Sequence, residues 1–114
     1  MNYNIYLISA EINEQKSYKI GITKRRVEDR IRDFKTGNSS KFDIEQIFTT
    51  DKLGLSIEKR LHKHFADKQI QGEWFNLDKQ DIYDFLKLCS KYKEELTLLN
   101  ESNTYMLDKG IKFK

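Results

Sequence analysis

The sequence of 114 residues contains no proline, one cysteine and no long apolar run. The lone Cys89 excludes an internal disulfide bond and a cysteine-rich zinc site. No apolar stretch approaches the roughly 20 residues that a membrane-spanning helix needs, and the N-terminus lacks the features of a signal peptide. These absences predict a cytoplasmic protein without membrane contact. Because linkers of proline or low complexity are also missing, we predict one domain over residues 1–114.

The composition is that of a protein with a folded core, and the charge is unevenly distributed along the chain. Apolar residues make up 38% of it, and aromatic residues 12%, which is typical of a globular protein. Eight basic and three acidic side chains lie between Lys16 and Lys35, a net charge of +5. The whole chain carries +3, which leaves −2 for the rest. Such a block suits a polyanion such as nucleic acid, although a solvated helix face explains it equally well.

Apolar periodicity predicts an α+β fold, a small antiparallel sheet of order β-β-α-β-α flanked by helices, with a long C-terminal helix. Two strands, Asn4–Ser9 and Tyr18–Thr23, are expected to form a hairpin with a long polar loop, and Phe42–Thr50 a third strand. Residues 74–77 read as a brief extended segment. Residues 102–114 fit an edge strand or a loose tail.

Three helices are expected from apolar spacing and capping residues. Thr23 would cap the first, which residues 37–40 would end, Asp51 the second and Asp78 the third. The buried positions would be Val27, Ile31 and Phe34 in the first helix, Leu53, Ile57, Leu61 and Phe65 in the second, and Ile82, Phe85, Leu86, Cys89, Tyr92, Leu96 and Leu99 in the third.

Several polar residues lie beside these core positions. Arg30 precedes Ile31, and a guanidinium there suits a phosphate, with a boundary salt bridge as the alternative. Glu58 follows a core position on the second helix and could hold Mg²⁺ or Mn²⁺. His62, four residues on, shares its face, so an ordinary Glu–His pair is the competing interpretation. Gly21 falls at the end of a strand, just before the first helix, which indicates either a plain turn or a backbone twist or close approach of a ligand.

The order of these residues resembles a known pattern. Residues 18–23 read Tyr-Lys-Ile-Gly-Ile-Thr, residues 58–65 fit Glu-x-x-Leu-His-x-x-Phe, and residues 72–75 read Gly-Glu-Trp-Phe. Together with Asn4-Ile5-Tyr6, this series resembles the GIY-YIG endonucleases, in their short phage and bacterial branch. The resemblance covers residues 4–77, and the final helix and tail at 78–114 lie outside it.

The resemblance implies a nuclease that hydrolyses DNA, with RNA as the alternative, using one Mg²⁺ or Mn²⁺ ion. Tyr6 would orient or deprotonate the attacking water, Arg30 would bind the scissile phosphate, and Glu58 would hold the metal. Lys19 takes the place of the second motif's tyrosine and would offset phosphate charge. The remaining nucleic-acid contacts are assigned to Lys24, Arg25, Arg26, Arg32, His62 and Asn76.

This sequence departs from that pattern at Asn4, Lys19 and Phe34, where family members have glycine, tyrosine, and histidine or tyrosine. Two alternatives therefore stay open. One is a binding module that has kept the basic groove and lost catalysis. The other is a phage-encoded factor that binds a host protein through the final helix. Glu73 is interpreted as structural or as a support for the metal ligand. His62 and His64 alone do not make a zinc site.

Overall fold

The computed structural model describes residues 2–12, 14–34 and 41–108, which form the predicted α+β fold. Five strands make one antiparallel sheet in the order β3-β1-β2-β5-β4, with helices on both of its faces. In chain order the elements are β1 (Tyr3–Ile12), β2 (Gln15–Thr23), α1 (Val27–Phe34), β3 (Phe42–Thr50), α2 (Gly54–His64), a 3-10 helix (Ala66–Lys68), β4 (Gln69–Gln71), β5 (Trp74–Phe75) and α3 (Lys79–Asp108).

The first hairpin has longer strands and a shorter connection than expected. The register between β1 and β2 runs from Asn4 opposite Thr23 to Ile12 opposite Gln15, so only residues 13 and 14 connect the strands. Glu14 has a φ of 65°, as tight hairpin turns require. The predicted long loop is therefore wrong, because the polar residues assigned to it continue the ladder.

The third strand matches its prediction at both ends, whereas β4 was not predicted. β3 spans Phe42–Thr50 and pairs with β1. All three residues of β4, Gln69–Gln71, are exposed at the edge of the sheet, so they carry no apolar alternation that would indicate a strand. The predicted helix stop at residues 37–40 lies outside the described residues.

The sheet separates two apolar clusters. On one face, Ile5, Leu7 and Ile20 pack with α2 and α3, and this larger cluster includes Phe75 and Phe85. On the other face, Tyr6 and Ile8 pack with Val27 and Ile31 of α1. Residues of β1 alternate between the two clusters, as the period of a strand requires. Tyr6 and Ile8 lie opposite Gly21 and Lys19 of β2, so all four share the α1 face.

Polar side chains organise the helix starts, although two helices begin later than expected. Thr23 ends β2, and its hydroxyl accepts a hydrogen bond from the Arg25 N–H at 3.1 Å. This bond lies in the turn between β2 and α1, so Thr23 stabilises the turn and does not cap the helix directly. The Asp51 carboxylate accepts from the Leu53 N–H at 3.0 Å, just before α2. At α3, Asp78 accepts from the Asp81 N–H at 2.8 Å and donates its own N–H to the Asp81 carboxylate at 3.0 Å. This reciprocal pair is a capping box, which confirms Asp78 as the start signal.

The last helix is only partly buried. Phe85 and Cys89 are fully buried, and burial raises the pKa of the Cys89 thiol to about 12, so it is an inert core residue. Leu86 and Leu99 were expected in the core, yet they are 36% and 51% exposed, because α3 meets the rest of the fold along a narrower stripe. The helix runs on to Asp108, so the edge strand or loose tail expected from residue 102 is wrong for residues 102–108, and residues 109–114 lie outside the described residues. Among the described residues, no helix combines the length and apolar character needed to cross a membrane.

Candidate functional site

The site begins at Gly21, where the lack of a side chain admits Tyr6. Gly21 lies opposite Tyr6 in the β1–β2 ladder. A Cβ atom at Gly21 would fall 2.3 Å from the Tyr6 hydroxyl oxygen and 2.4 Å from the ring carbon that bears it. The Tyr6 ring therefore lies across the backbone of β2, with its hydroxyl carried toward the far side of that strand. Gly21 is required for this close approach and is not a turn residue.

Helix α2 brings two side chains to the same part of β2. The His62 Nε2 atom lies 2.9 Å from the Ile20 carbonyl oxygen and 3.7 Å from Glu58 Oε2. Because a carbonyl can only accept, Nε2 carries a proton and donates to Ile20. This hydrogen bond orients the ring beside the Glu58 carboxylate. Glu58 and His62 therefore do share a face, as expected from their spacing of four residues.

Glu73 completes the group from a third segment of the chain. It precedes β5, and its carbonyl accepts a hydrogen bond from the Ile20 N–H at 3.2 Å. One ligand atom from each of Glu58, His62 and Glu73 lies within 4.8 Å of the others. The Glu73 carboxylate also lies 3.4 Å from the Lys19 ammonium. Two carboxylates and an imidazole, from α2 and from the turn before β5, thus converge at the edge of β2.

Arg30 reaches this group from α1. Its guanidinium lies within hydrogen-bonding reach of the Tyr6 phenol and also forms an ion pair with Asp33 at 3.7 Å. Burial raises the pKa of the Tyr6 phenol, while the hydrogen bond from Arg30 lowers it and the charges of Glu73 and Glu58 raise it, with a net increase. Tyr6 is therefore a neutral hydrogen-bonding group at neutral pH. Arg30 therefore forms the salt bridge that was the alternative interpretation, and it also contacts Tyr6 in the site.

Glu58 is the least solvated acid of the group, with a side chain 16% exposed. Burial raises the pKa of its carboxyl above the usual range, and the negative charge of Glu73 adds to that effect, whereas His62 and Lys59 lower it. An ionised Glu58 therefore lacks full compensation within the protein. A buried carboxylate beside a second carboxylate fits a divalent cation, because such ions prefer oxygen ligands and offset this charge.

We expect a Glu58→Gln substitution to raise the melting temperature of the metal-free protein. A carboxyl whose folded pKa is raised costs stability above that pKa, and the cost disappears below the unfolded pKa. The gain should be absent near pH 4 and should grow toward pH 7. Melting curves in EDTA at several pH values measure this change, with the exposed Glu94→Gln as control. A gain that is independent of pH would contradict the prediction.

The predicted basic contacts lie around α1, and most of them are held by neighbouring acids. Arg25 pairs with Asp33 at 3.0 Å. Arg26 pairs with Glu28 at 3.0 Å. Arg32 pairs with Asp29 at 3.5 Å. The Lys24 ammonium lies 5.4 Å from the centre of the Tyr3 ring. Arg26 and Arg32 remain 77% exposed at their side chains, so the helix still presents guanidinium groups to solvent.

Two asparagines have positions that the sequence did not reveal. Asn76 lines a surface cavity of about 480 Å³ together with Lys68 and Asp78, and neither Glu58 nor Glu73 lines it. The predicted contact of Asn76 with a phosphate stays a prediction. Asn4 donates to the Arg25 carbonyl at 2.9 Å and accepts from the Thr49 hydroxyl at 2.7 Å. Its amide thus ties β3 to the turn that precedes α1, a long-range role without a sequence signal.

The fold and the site define an α+β protein with a phenol, a guanidinium, an imidazole and two carboxylates gathered at one strand edge. Comparison with protein families gives a match to the T5orf172 domain over residues 4–90, more than half of the chain. The chain therefore belongs to the T5orf172 family. Neither the curated proteins nor the solved structures contain a match to it.

This assignment corrects the family expected from the motifs. The GIY-YIG assignment is wrong, because the matching family is T5orf172, which is a different one. The changed motif positions agree with this correction. Where that pattern has glycine, Asn4 bridges two segments, and where it has tyrosine, Lys19 pairs with Glu73. The function of the site must therefore be argued from its own geometry.

Proposed function

We propose that this protein hydrolyses phosphodiester bonds of DNA with the help of one divalent metal ion, Mg²⁺ or Mn²⁺. The observation that carries the proposal is the convergence of Tyr6, Arg30, Glu58 and Glu73 at the edge of β2. Domains of the T5orf172 family are phage-like and often nuclease-like or DNA-binding, which supports a nucleic-acid substrate.

Glu58 and Glu73 would hold the ion, because their oxygen atoms lie in one group and Glu58 is poorly solvated. His62 donates to Ile20 through Nε2, so its role is to orient and stabilise Glu58. When bound, the ion supplies Lewis-acid stabilisation of the charge that develops on a phosphate. The two carboxylates thus act as ligands and not as bases.

Arg30 and Tyr6 would act on the phosphate and the attacking water. A guanidinium donates to two oxygens at once, which matches a phosphate and its transition-state charge. The Tyr6 hydroxyl is held by Arg30, and its raised pKa keeps the proton in place at neutral pH. The phenol would therefore orient the attacking water by hydrogen bonding and would not accept its proton. As the water oxygen bonds to phosphorus and the bond to the leaving oxygen breaks, the water proton would pass to bulk solvent, which would also protonate the leaving oxygen.

Lys19 would offset phosphate charge after it releases Glu73. In the structure its ammonium lies 3.4 Å from the Glu73 carboxylate. If Glu73 helps to hold a cation, its carboxylate charge would be shared between that cation and Lys19, which would weaken the ion pair. The Lys19 ammonium would then be able to face the phosphate. The exposed guanidinium groups of Arg26 and Arg32 would hold the flanking backbone without reading its sequence.

Nicking of supercoiled plasmid tests the proposal most directly. The wild-type protein should nick in Mg²⁺ or Mn²⁺ and lose activity in EDTA. Arg30→Ala should reduce the rate by roughly 10²–10³-fold, the cost of one lost electrostatic donor. Arg32→Ala is the matched control, because Arg32 lies on the same helix but pairs with Asp29, and it should mainly weaken DNA binding and reduce the dependence of that binding on salt.

Two results would contradict this assignment. Equal activity of the Arg30→Ala and wild-type proteins would remove Arg30 from the reaction. Salt-dependent DNA binding with no cleavage of DNA or RNA in either metal would favour the binding module, which retains the basic surface and not the chemistry. Recovery of a stoichiometric protein partner from nuclease-treated lysate, with no affinity for nucleic acid, would favour the interaction factor.

A further inference from the structure

Two aromatic rings lie together on the sheet face that carries Tyr6 and Lys19. Phe42 starts β3 and Trp74 starts β5, and their ring centres are 6.3 Å apart with planes inclined by 33°. β1 and β2 lie between these two strands. In the row of Phe42, the same face carries Ala10 and Ser17, both small and both buried. These small side chains leave room for the two rings to approach each other.

This aromatic pair adjoins the proposed catalytic group. Trp74 lies opposite Lys19 in the β2–β5 ladder, and the Lys19 ammonium is 5.8 Å from the centre of the Trp74 ring. Trp74 also follows Glu73 directly in the chain. Phe42 packs on its inner side against the cluster around Tyr6 and Ile8, yet both rings stay only partly buried. The Trp74 ring and the Glu73 carboxylate thus both lie near the Lys19 ammonium, beside the proposed catalytic group.

The chemistry of this surface favours a nucleotide base. Aromatic side chains beside a cation bind the flat faces of bases, while the cation meets the backbone phosphate. Bases within a continuous duplex stack on each other and do not present their faces. Only an unpaired nucleotide can therefore use both rings.

We propose that Phe42 and Trp74 stack an unpaired base next to the phosphate held at the Tyr6–Glu58 site. This inference rests on the proposed function and specifies its substrate class. The substrate is a DNA strand with a single-stranded stretch, such as a flap, a branch, a free single strand or a locally opened segment of a supercoiled plasmid, and not a fully paired duplex. Lys19 then contributes to both contacts: its ammonium lies beside the Trp74 ring on which the base stacks, and it offsets the charge of the phosphate.

The sole tryptophan of the chain makes this contact measurable. We titrate the wild-type protein in EDTA, where cleavage is suppressed, with a dT oligonucleotide and with a blunt duplex of equal length. The single strand should quench Trp74 fluorescence to saturation and bind more tightly than the duplex. Unchanged fluorescence at saturation by the single strand, or equal affinities for the two probes, overturns the proposal.

Variants give a second measurement. Phe42→Leu should weaken binding of a labelled dT oligonucleotide by roughly 5- to 150-fold, the loss expected for one stacking ring, and should leave duplex binding unchanged. Tyr83→Leu is the matched control, because Tyr83 is an aromatic residue 66% exposed on α3. Equal losses for both probes would indicate a folding defect, and the tryptophan titration of the wild-type protein would then decide.

The outcomes separate this inference from the proposed hydrolysis. Quenching by single strands without cleavage in any metal would leave the stacking surface in place and remove the catalytic proposal. Metal-dependent cleavage of duplex and single strand at equal rates, without quenching, would support the catalytic proposal and remove the stacking surface. Failure to bind either probe overturns both.

Discussion

A Glu58→Ala variant is expected to lose metal-dependent nicking by on the order of 10²–10³-fold or more, while its fold remains intact. Glu58 is the most buried acid of the group that includes His62 and Glu73. Loss of one electrostatic contributor to phosphate hydrolysis typically costs on this order in rate. The variant also removes the carboxylate that α2 offers to the ion, whose pKa is raised by burial. Initial nicking rates at saturating Mn²⁺ measure the loss.

Stability data distinguish a lost ligand from a lost fold. Removal of a poorly compensated carboxylate should not lower the melting temperature of the metal-free protein at neutral pH. In the wild-type protein, Mn²⁺ should raise the melting temperature, because an ion that binds only the folded state stabilises it. This increase should be missing in Glu58→Ala and preserved in Glu94→Ala, whose carboxylate is exposed on α3. Undiminished nicking by Glu58→Ala would show that the ion is held elsewhere.

The sequence predicted those parts of the fold that local patterns encode. Phe42–Thr50 reads as a strand because β-favouring residues follow a turn-rich segment, and the structure confirms its bounds. Ile57, Leu61 and Phe65 recur at helical spacing and are all buried. β4 escaped prediction because its place in the sheet depends on pairing with Trp74 and Phe75, and none of its own residues signals burial.

The residues of the candidate site were likewise predictable where a local pattern marked them, and not where their position depends on long-range pairing. Arg30 and Glu58 stood out because each adjoins a buried helical position, and the structure places both near Tyr6. Glu73 was assigned only a supporting part, since its proximity to Glu58 follows from a long-range pairing of β5 with β2. The Gly-Glu-Trp-Phe motif was its one signal. Asn76 was expected at the phosphate, and this assignment stays a prediction; in the structure Asn76 lines a cavity with Lys68 and Asp78.

A Gly21→Ala variant is expected to lose stability by about 1–3 kcal/mol, the usual cost of an extra group in a filled space. The added methyl would lie 2.3 Å from the Tyr6 hydroxyl oxygen, far inside contact distance, and the Tyr6 side chain is 1% exposed. The ring must therefore turn or the two strands must separate. Either movement takes the phenol away from Arg30, so nicking should fall together with stability. Urea denaturation and initial nicking rates measure the two losses.

A second site and a double substitution show whether the cost arises from this one contact. At Gly72, φ is +55° and an added Cβ would meet nothing within 4 Å, so Gly72→Ala tests backbone strain without a clash. Tyr6→Leu shortens the ring that the new methyl would strike. If the clash is the cause, the two changes at Gly21 and Tyr6 together should destabilise less than the sum of the single changes. Strict additivity would instead mean that Gly21 supports the strand and does not serve to admit the phenol.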